Sequence, residues 1–118
     1  MATTLINRYI NDLSYERAEA EWTSLLNAET GAIADMAQWA RTSVQVSGTF
    51  GVGGSILIEG SNDGTNFATL NDQAGVALIF TVAGLRSIRE FSAKIRARVT
   101  AGDGTTALKV VIEGLRNE

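Results

Sequence analysis

Apolar and polar side chains alternate with period two through most of the chain beyond residue 43. That period places successive side chains on opposite faces of a half-buried strand. In Ser43–Phe50, Val44 and Val46 share one face and Gln45 and Ser47 the other. In Ser55–Glu59, Ile56 and Ile58 oppose Leu57 and Glu59. In Lys94–Val99, Ile95, Ala97 and Val99 point inward while Lys94, Arg96 and Arg98 point out. In Ala107–Leu115, Leu108, Val110 and Ile112 form the inward row. Asn66–Leu70 reads as a further strand. Val76–Val82 is apolar throughout, as a strand buried on both faces would be.

The segments between these runs carry turn chemistry. Asn62-Asp-Gly64 and Gly102-Asp-Gly104 hold residue types that tolerate positive φ at a hairpin. Gly51-Val-Gly-Gly54 reads as a flexible hairpin loop. The runs on either side of Gly102–Gly104 are the strongest hairpin signal in the chain. Leu85–Glu90 fits a helical turn or a short strand. About seven short strands with turn signals roughly every 8–12 residues predict an all-β antiparallel β-sandwich, with a small barrel as the alternative.

The N-terminal third differs. Eleven of the twelve glycines lie at or beyond Gly48, the exception being Gly31. Apolar positions between Asn11 and Leu26 are too ragged for either period. Trp22–Leu26 reads as a short strand, Asn27–Gly31 as a turn and Ala32–Met36 as a return run. Asp35–Ala40 fits one helical turn with Asp35 as its N-cap, and Trp39 reads as a core plug. The predicted division is an N-terminal arm over residues 1–21 and a β-sandwich over 22–118. A frayed, solvated terminus is the simplest account of the arm. Leu5, Ile6, Tyr9, Ile10, Leu13 and Tyr15 are nevertheless too apolar for a purely solvating tail. They are the candidate residues for contact with another subunit.

Composition narrows the chemistry. The 118 residues carry no cysteine, no histidine and no proline, and the formal net charge is −3. Absent cysteine and histidine remove disulfides, thiolate metal sites, Ser-His-Asp and Cys-His catalysis together. No catalytic residue, metal ligand or cofactor is predicted, and the expected role is not enzymatic. The start of the chain shows no signal-peptide pattern and no run of about 20 apolar residues follows it, so no membrane is expected as partner.

Arg86, Arg89, Lys94, Arg96 and Arg98 form the one basic concentration. No aromatic residue interleaves with it, and a net negative chain lacks the clustered basic face that nucleic acid needs. These residues are better read as a solvated face or a charged interface, one that could meet the acidic Glu16, Glu19 and Glu21. Asn62–Asn66 loosely matches part of a calcium loop but lacks the later bidentate glutamate. A plain hairpin turn needs the same residue types.

Three segments carry a resemblance to a known family: Arg41-Thr-Ser-Val-Gln-Val-Ser-Gly-Thr-Phe-Gly51, Ile58-Glu-Gly-Ser-Asn-Asp-Gly-Thr-Asn66 and Arg98-Val-Thr-Ala-Gly-Asp-Gly-Thr-Thr106. In this order, within about Trp22–Arg116, they resemble small structural proteins of tailed bacteriophages and prophages. The resemblance implies a β-sandwich and a place in the virion, after assembly in the cytoplasm of the bacterial host. It suggests a capsid decoration (cement) protein that binds and stabilises the assembled shell. The partners it implies are the major capsid protein or other virion subunits, and copies of the chain itself, since decoration proteins often form trimers. A tail, collar or head–tail connector component is the alternative in the same class. Discoidin-like carbohydrate-binding modules use turns similar to Ser61–Asn66 and are the alternative of another class, although only Phe67 supplies an aromatic platform.

Overall fold

The computed structural model describes residues 5–11, 15–37, 39 and 41–117, with side chains described over 17–37, 39 and 41–115. Ten strands occur among these residues. They are β1 (Leu5–Asn11), β2 (Tyr15–Leu26), β3 (Ala34–Asp35), β4 (Arg41–Thr49), β5 (Ser55–Ser61), β6 (Ala68–Thr69), β7 (Ile79–Phe80), β8 (Gly84–Ile88), β9 (Lys94–Ala101) and β10 (Ala107–Asn117). Seven of them are five residues or longer. They form two antiparallel sheets. The front sheet has the order β1-β2-β10-β4-β8, and the back sheet β3-β9-β5-β6 with β7 also on β5.

The predicted β-sandwich is therefore the observed class. Its core is the set of inward rows read from the alternation. Val44, Val46, Leu108, Val110 and Ile112 of the front sheet meet Ile56, Ile58, Ile95, Ala97 and Val99 of the back sheet, all at 2% exposure or less. Trp39 is buried, as a core plug should be, and lies against Gly114 of β10.

The N-terminal segment contributes to this core. β2 runs through residue 21 and pairs with β10 from Leu26↔Ala107 to Tyr15↔Asn117. Ala20 and Trp22 have no exposed surface. The Trp22 indole Nε1 donates to the Ala32 carbonyl at 2.9 Å. Gly31 makes room for that ring, because a Cβ there would lie 2.5 Å from Nε1. This explains why glycine stands alone in an otherwise glycine-free third of the chain. Leu13 lies outside the described residues.

Two predicted hairpins are crossings between sheets. β4 belongs to the front sheet and β5 to the back, so Gly51–Gly54 carries the chain across the sandwich. Likewise β9 is in the back sheet and β10 in the front, so Gly102–Gly104 joins strands that do not pair. Turn chemistry and alternation are the same for both connections, since either one puts the same side chains into the core. The two crossings lock together: the Val52 amide donates to Asp103 Oδ2 at 2.9 Å, and the Thr106 hydroxyl donates to the Phe50 carbonyl at 2.8 Å. Gly51, with φ +76°, lies so close to Asp103 and Thr106 that a Cβ would strike both side chains.

Other expectations also shift. Asn62–Gly64 does close a hairpin, but β5 and β6 pair only at Glu59↔Thr69 and Gly60↔Ala68. The apolar run Val76–Val82 yields only the two-residue β7, and Val76, Ile79 and Val82 stay exposed. Asp35 lies in β3 and caps no helix; no helix occurs among the described residues. Its carboxylate instead accepts from the Ala37 amide at 3.1 Å, a short local turn.

Candidate functional site

The outer face of the back sheet gathers three of the five cations singled out in the sequence. β9 exposes Lys94, Arg96 and Arg98 on one side because its other side is core. The register sets Glu59 directly across from Arg96, Leu57 across from Arg98 and Ser61 across from Lys94. Glu59 Oε1 accepts from Arg96 Nε at 2.6 Å and from Arg98 Nε at 3.3 Å. Glu59 is only 4% exposed. A carboxylate that dry requires cationic partners, and it has two. Arg96 also lies over the Phe67 ring, 3.8 Å from its centroid. Lys94 Nζ pairs with Asp35 Oδ2 at 3.2 Å.

Arg86 belongs elsewhere, on β8 at the side of the sandwich. Its Nε and Nη2 donate to Asp72 Oδ2 at 3.0 and 2.7 Å. Nη2 also reaches the Ala77 carbonyl at 3.0 Å, and the guanidinium covers Phe80 at 5.2 Å. Arg86 thus pins the 72–79 segment to the front sheet. Arg89 is exposed just beyond β8, beside Gly75. The five cations form no single patch, and four of them bind carboxylates within the domain.

The turn at residues 61–66 is occupied by its own hydrogen bonds. Asp63 Oδ1 accepts from the amides of Thr65 and Asn66, each at 2.8 Å, and from the Ser61 hydroxyl at 2.8 Å. Oδ2 accepts from Asn66 Nδ2 at 2.9 Å. These donors, the Asn66 amide foremost, hold the Asp63 carboxyl well below the usual carboxylate range. Asp103 does similar work in the second Asp-Gly turn. The Thr105 hydroxyl, then the Val52 and Thr105 amides, depress its carboxyl. Both aspartates are spent on loop geometry. Among the described residues, no three acidic side chains gather as a metal ion would require.

A second surface lies apart from the five cations singled out above. The outer face of the front sheet forms an open trough of about 600 Å³ lined by Arg17, Arg41, Ser43, Gln45, Ser87 and Glu113, among others. It draws on four strands that lie far apart in sequence. Arg17 pairs with Glu113 across it at 3.1 Å, and Arg41 is exposed at its end. The alternation over Ser43–Phe50 set Gln45 on the face opposite Val44 and Val46, but only the sheet order brings Arg17, Ser87 and Glu113 beside it.

Of the predicted contact residues, Leu5, Ile6, Tyr9 and Ile10 lie on β1, and Tyr15 begins β2. β1 pairs with β2 without a register break, from Leu5↔Trp22 to Asn11↔Glu16. No helix among the described residues is long and apolar enough to cross a membrane.

These features define the class: a two-sheet antiparallel β-sandwich whose first strand forms the margin of one sheet. The fold is similar to that of the SPBc2 prophage-derived protein YomS, known from a crystal structure, with a TM-score of 0.70 over 91% of this chain and 99% of that one. At 9% sequence identity the likeness is one of fold. No family model and no curated protein matches the chain.

Proposed function

We propose that this chain is a structural protein of a tailed-phage particle, a capsid decoration protein that binds the assembled shell in many copies. The observation that carries the reading is the fold likeness to a prophage-derived protein along nearly the full length of both chains. The three segments that resemble small phage structural proteins support it from the sequence side. Six of the described cations, Arg17, Arg86, Lys94, Arg96, Arg98 and Lys109, are paired with carboxylates of the same domain, which suits a component that packs among neighbours, because few bare cations must be desolvated on docking. The chain works by binding rather than by catalysis, and its partners are the major capsid protein or other virion subunits, including further copies of itself. Neither nucleic acid nor membrane is a partner. The N-terminal segment, with Leu5, Ile6, Tyr9, Ile10, Leu13 and Tyr15, makes the subunit contacts, and its place of action is the virion.

Copy number tests this. Quantitative gels of purified particles should give on the order of hundreds of copies, as a decorated shell of repeating symmetry demands. About six or twelve copies would move the chain to a connector, collar or tail ring. Absence from the particle would end the structural reading altogether.

A further inference from the structure

Exposed strand edges invite pairing with other chains, and folded domains usually guard them. Among the described residues, every edge of this sandwich but one is guarded. β3 and β6, the margins of the back sheet, are two residues long. β8, one margin of the front sheet, is covered by the 71–77 loop. Asp72 bridges Ile88, the Arg89 amide donates to the Asn71 carbonyl at 2.9 Å, and Gln73 Nε2 donates to the Ile88 carbonyl at 3.2 Å. The Arg86 guanidinium, bound to Asp72, Val76 and Ala77, holds that cover down.

β1, the other margin, shows none of these devices among the described residues. It is seven residues long, without lysine or proline, and its pairing with β2 has no bulge. No described residue lies beyond it in the sheet. We propose that β1 pairs antiparallel with β1 of a second copy, joining the two front sheets into one continuous sheet about a two-fold axis.

The occupant follows from the strand itself. A two-fold axis normal to the sheet keeps each residue on its own face, so opposed residue numbers must sum to an even value. Full overlap would set Arg8 against Arg8 of the second copy, a like-charge pair that opposes pairing. A shift that puts Asn7 on the axis removes this clash. It sets Leu5 opposite Tyr9 of the second copy, twice over, an aliphatic–aromatic pair of the kind that stabilises antiparallel strands. The same register sets Ile6 opposite Arg8, so no like charges meet along the strand.

One strand pair alone buries little area, so the dimer is concentration-dependent in solution and strengthened where many copies sit side by side. The inference deepens the view of the N-terminal segment as a contact region. It does not rest on the virion reading, because the isolated chain suffices to test it.

The chain has no cysteine, which makes thiol trapping clean. Asn7→Cys places one thiol on the proposed axis, where directly opposed Cα atoms in an antiparallel pair lie about 4.5–5.5 Å apart, within disulfide reach. Thr69→Cys on the exposed β6 margin is the control. Under mild oxidation, Asn7→Cys should form a covalent dimer at least tenfold faster than Thr69→Cys. Equal rates for the two would overturn the proposal, as would an Asn7→Cys chain that stays monomeric. Sedimentation of the unmodified chain supplies a second measurement. A dimer should grow in with concentration up to about 1 mM, where even a dissociation constant of about 1 mM would leave half of the chains paired. A chain that is monomeric throughout that range refutes the pairing. Loss of shell binding in Asn7→Cys without any self-association would assign the edge to a capsid strand and refute it equally.

Discussion

Glu59 and Arg96 face each other across β5 and β9, and the 2.6 Å hydrogen bond between them lies where the carboxylate is 4% exposed. The pair makes the back sheet's outer face self-sufficient. Glu59→Gln should leave Arg96 and Arg98 without a counter-charge and cost about 2 kcal/mol, below the roughly 3–5 kcal/mol of a fully buried pair because the Arg96 side chain is 26% exposed. In thermal denaturation that is a fall in Tm of roughly 8 °C. Arg98→Ala should cost under about 1 kcal/mol, because that side chain is 40% exposed and water screens the interaction. Equal losses for the two variants would contradict the geometry.

Truncation separates the two N-terminal strands. Deleting residues 2–11 removes β1 alone and leaves β2 paired with β10. The shortened chain should keep its far-ultraviolet circular dichroism and a cooperative melt. Deleting residues 2–21 also removes Ala20, whose side chain is fully buried, together with more than half of β2. That loss takes several kcal/mol from a stability that is only about 5–15 kcal/mol in an ordinary domain, so the chain should not fold. A cooperative melt after the longer deletion would show that β2 is dispensable.

Gly31 and Trp22 form a second sensitive pair. Gly31→Ala would press a methyl group to 2.5 Å of the indole Nε1 and disturb its bond to the Ala32 carbonyl. The expected cost is about 2 kcal/mol, typical of overpacking a tight core. Trp22→Ala should cost about 3–5 kcal/mol through the cavity it leaves. Chemical denaturation followed by fluorescence reports both, since Trp39 remains as a probe. A Gly31→Ala chain of unchanged midpoint would show that the Ala32–Trp22 contact yields freely.

Acid should unfold the domain late. Asp35, Asp63, Asp72, Glu90 and Asp103 are all held below their ordinary values, chiefly by backbone amides, with the Thr105 hydroxyl leading for Asp103. The folded state therefore binds protons more weakly than the unfolded chain. The stability these groups contribute is fully present above their ordinary values, 3.8 for the aspartates and 4.5 for Glu90. It is lost as pH falls through the lower folded values. With no histidine to titrate, Tm should stay nearly flat from about pH 8 to pH 5 and then fall steeply below about pH 4. A Tm that rises on acidification below pH 4 would reverse the sign and refute the assignment.

Strand faces were legible in the sequence, whereas strand neighbours were not. Val44, Val46, Ile95, Ala97, Val99, Leu108, Val110 and Ile112 all turn inward as their alternation predicts. Gly102–Gly104 has ideal hairpin chemistry and yet joins two sheets, because alternation specifies a face and not a hydrogen-bonding partner. β2 was legible only from Trp22 onward. Its first half alternates small and charged residues, Ala18 and Ala20 with Arg17, Glu19 and Glu21, and alanine is a weak marker of burial. The cations stood out by composition. Their partners did not, because Glu59 and Asp72 reach Arg96 and Arg86 only through pairing across 37 and 14 residues.

The sequence by itself determined that this is an all-β domain without thiol or imidazole chemistry, whose turns are closed by aspartate, asparagine and glycine. Those are local properties, set by side-chain alternation and by the backbone angles that each residue type tolerates. Only the tertiary structure decided which strands share a sheet, that six of the described cations are spent on carboxylates of the same domain, and that β1 is the one long margin left uncovered among the described residues. These depend on contacts between segments far apart in the chain, selected by how the whole core packs.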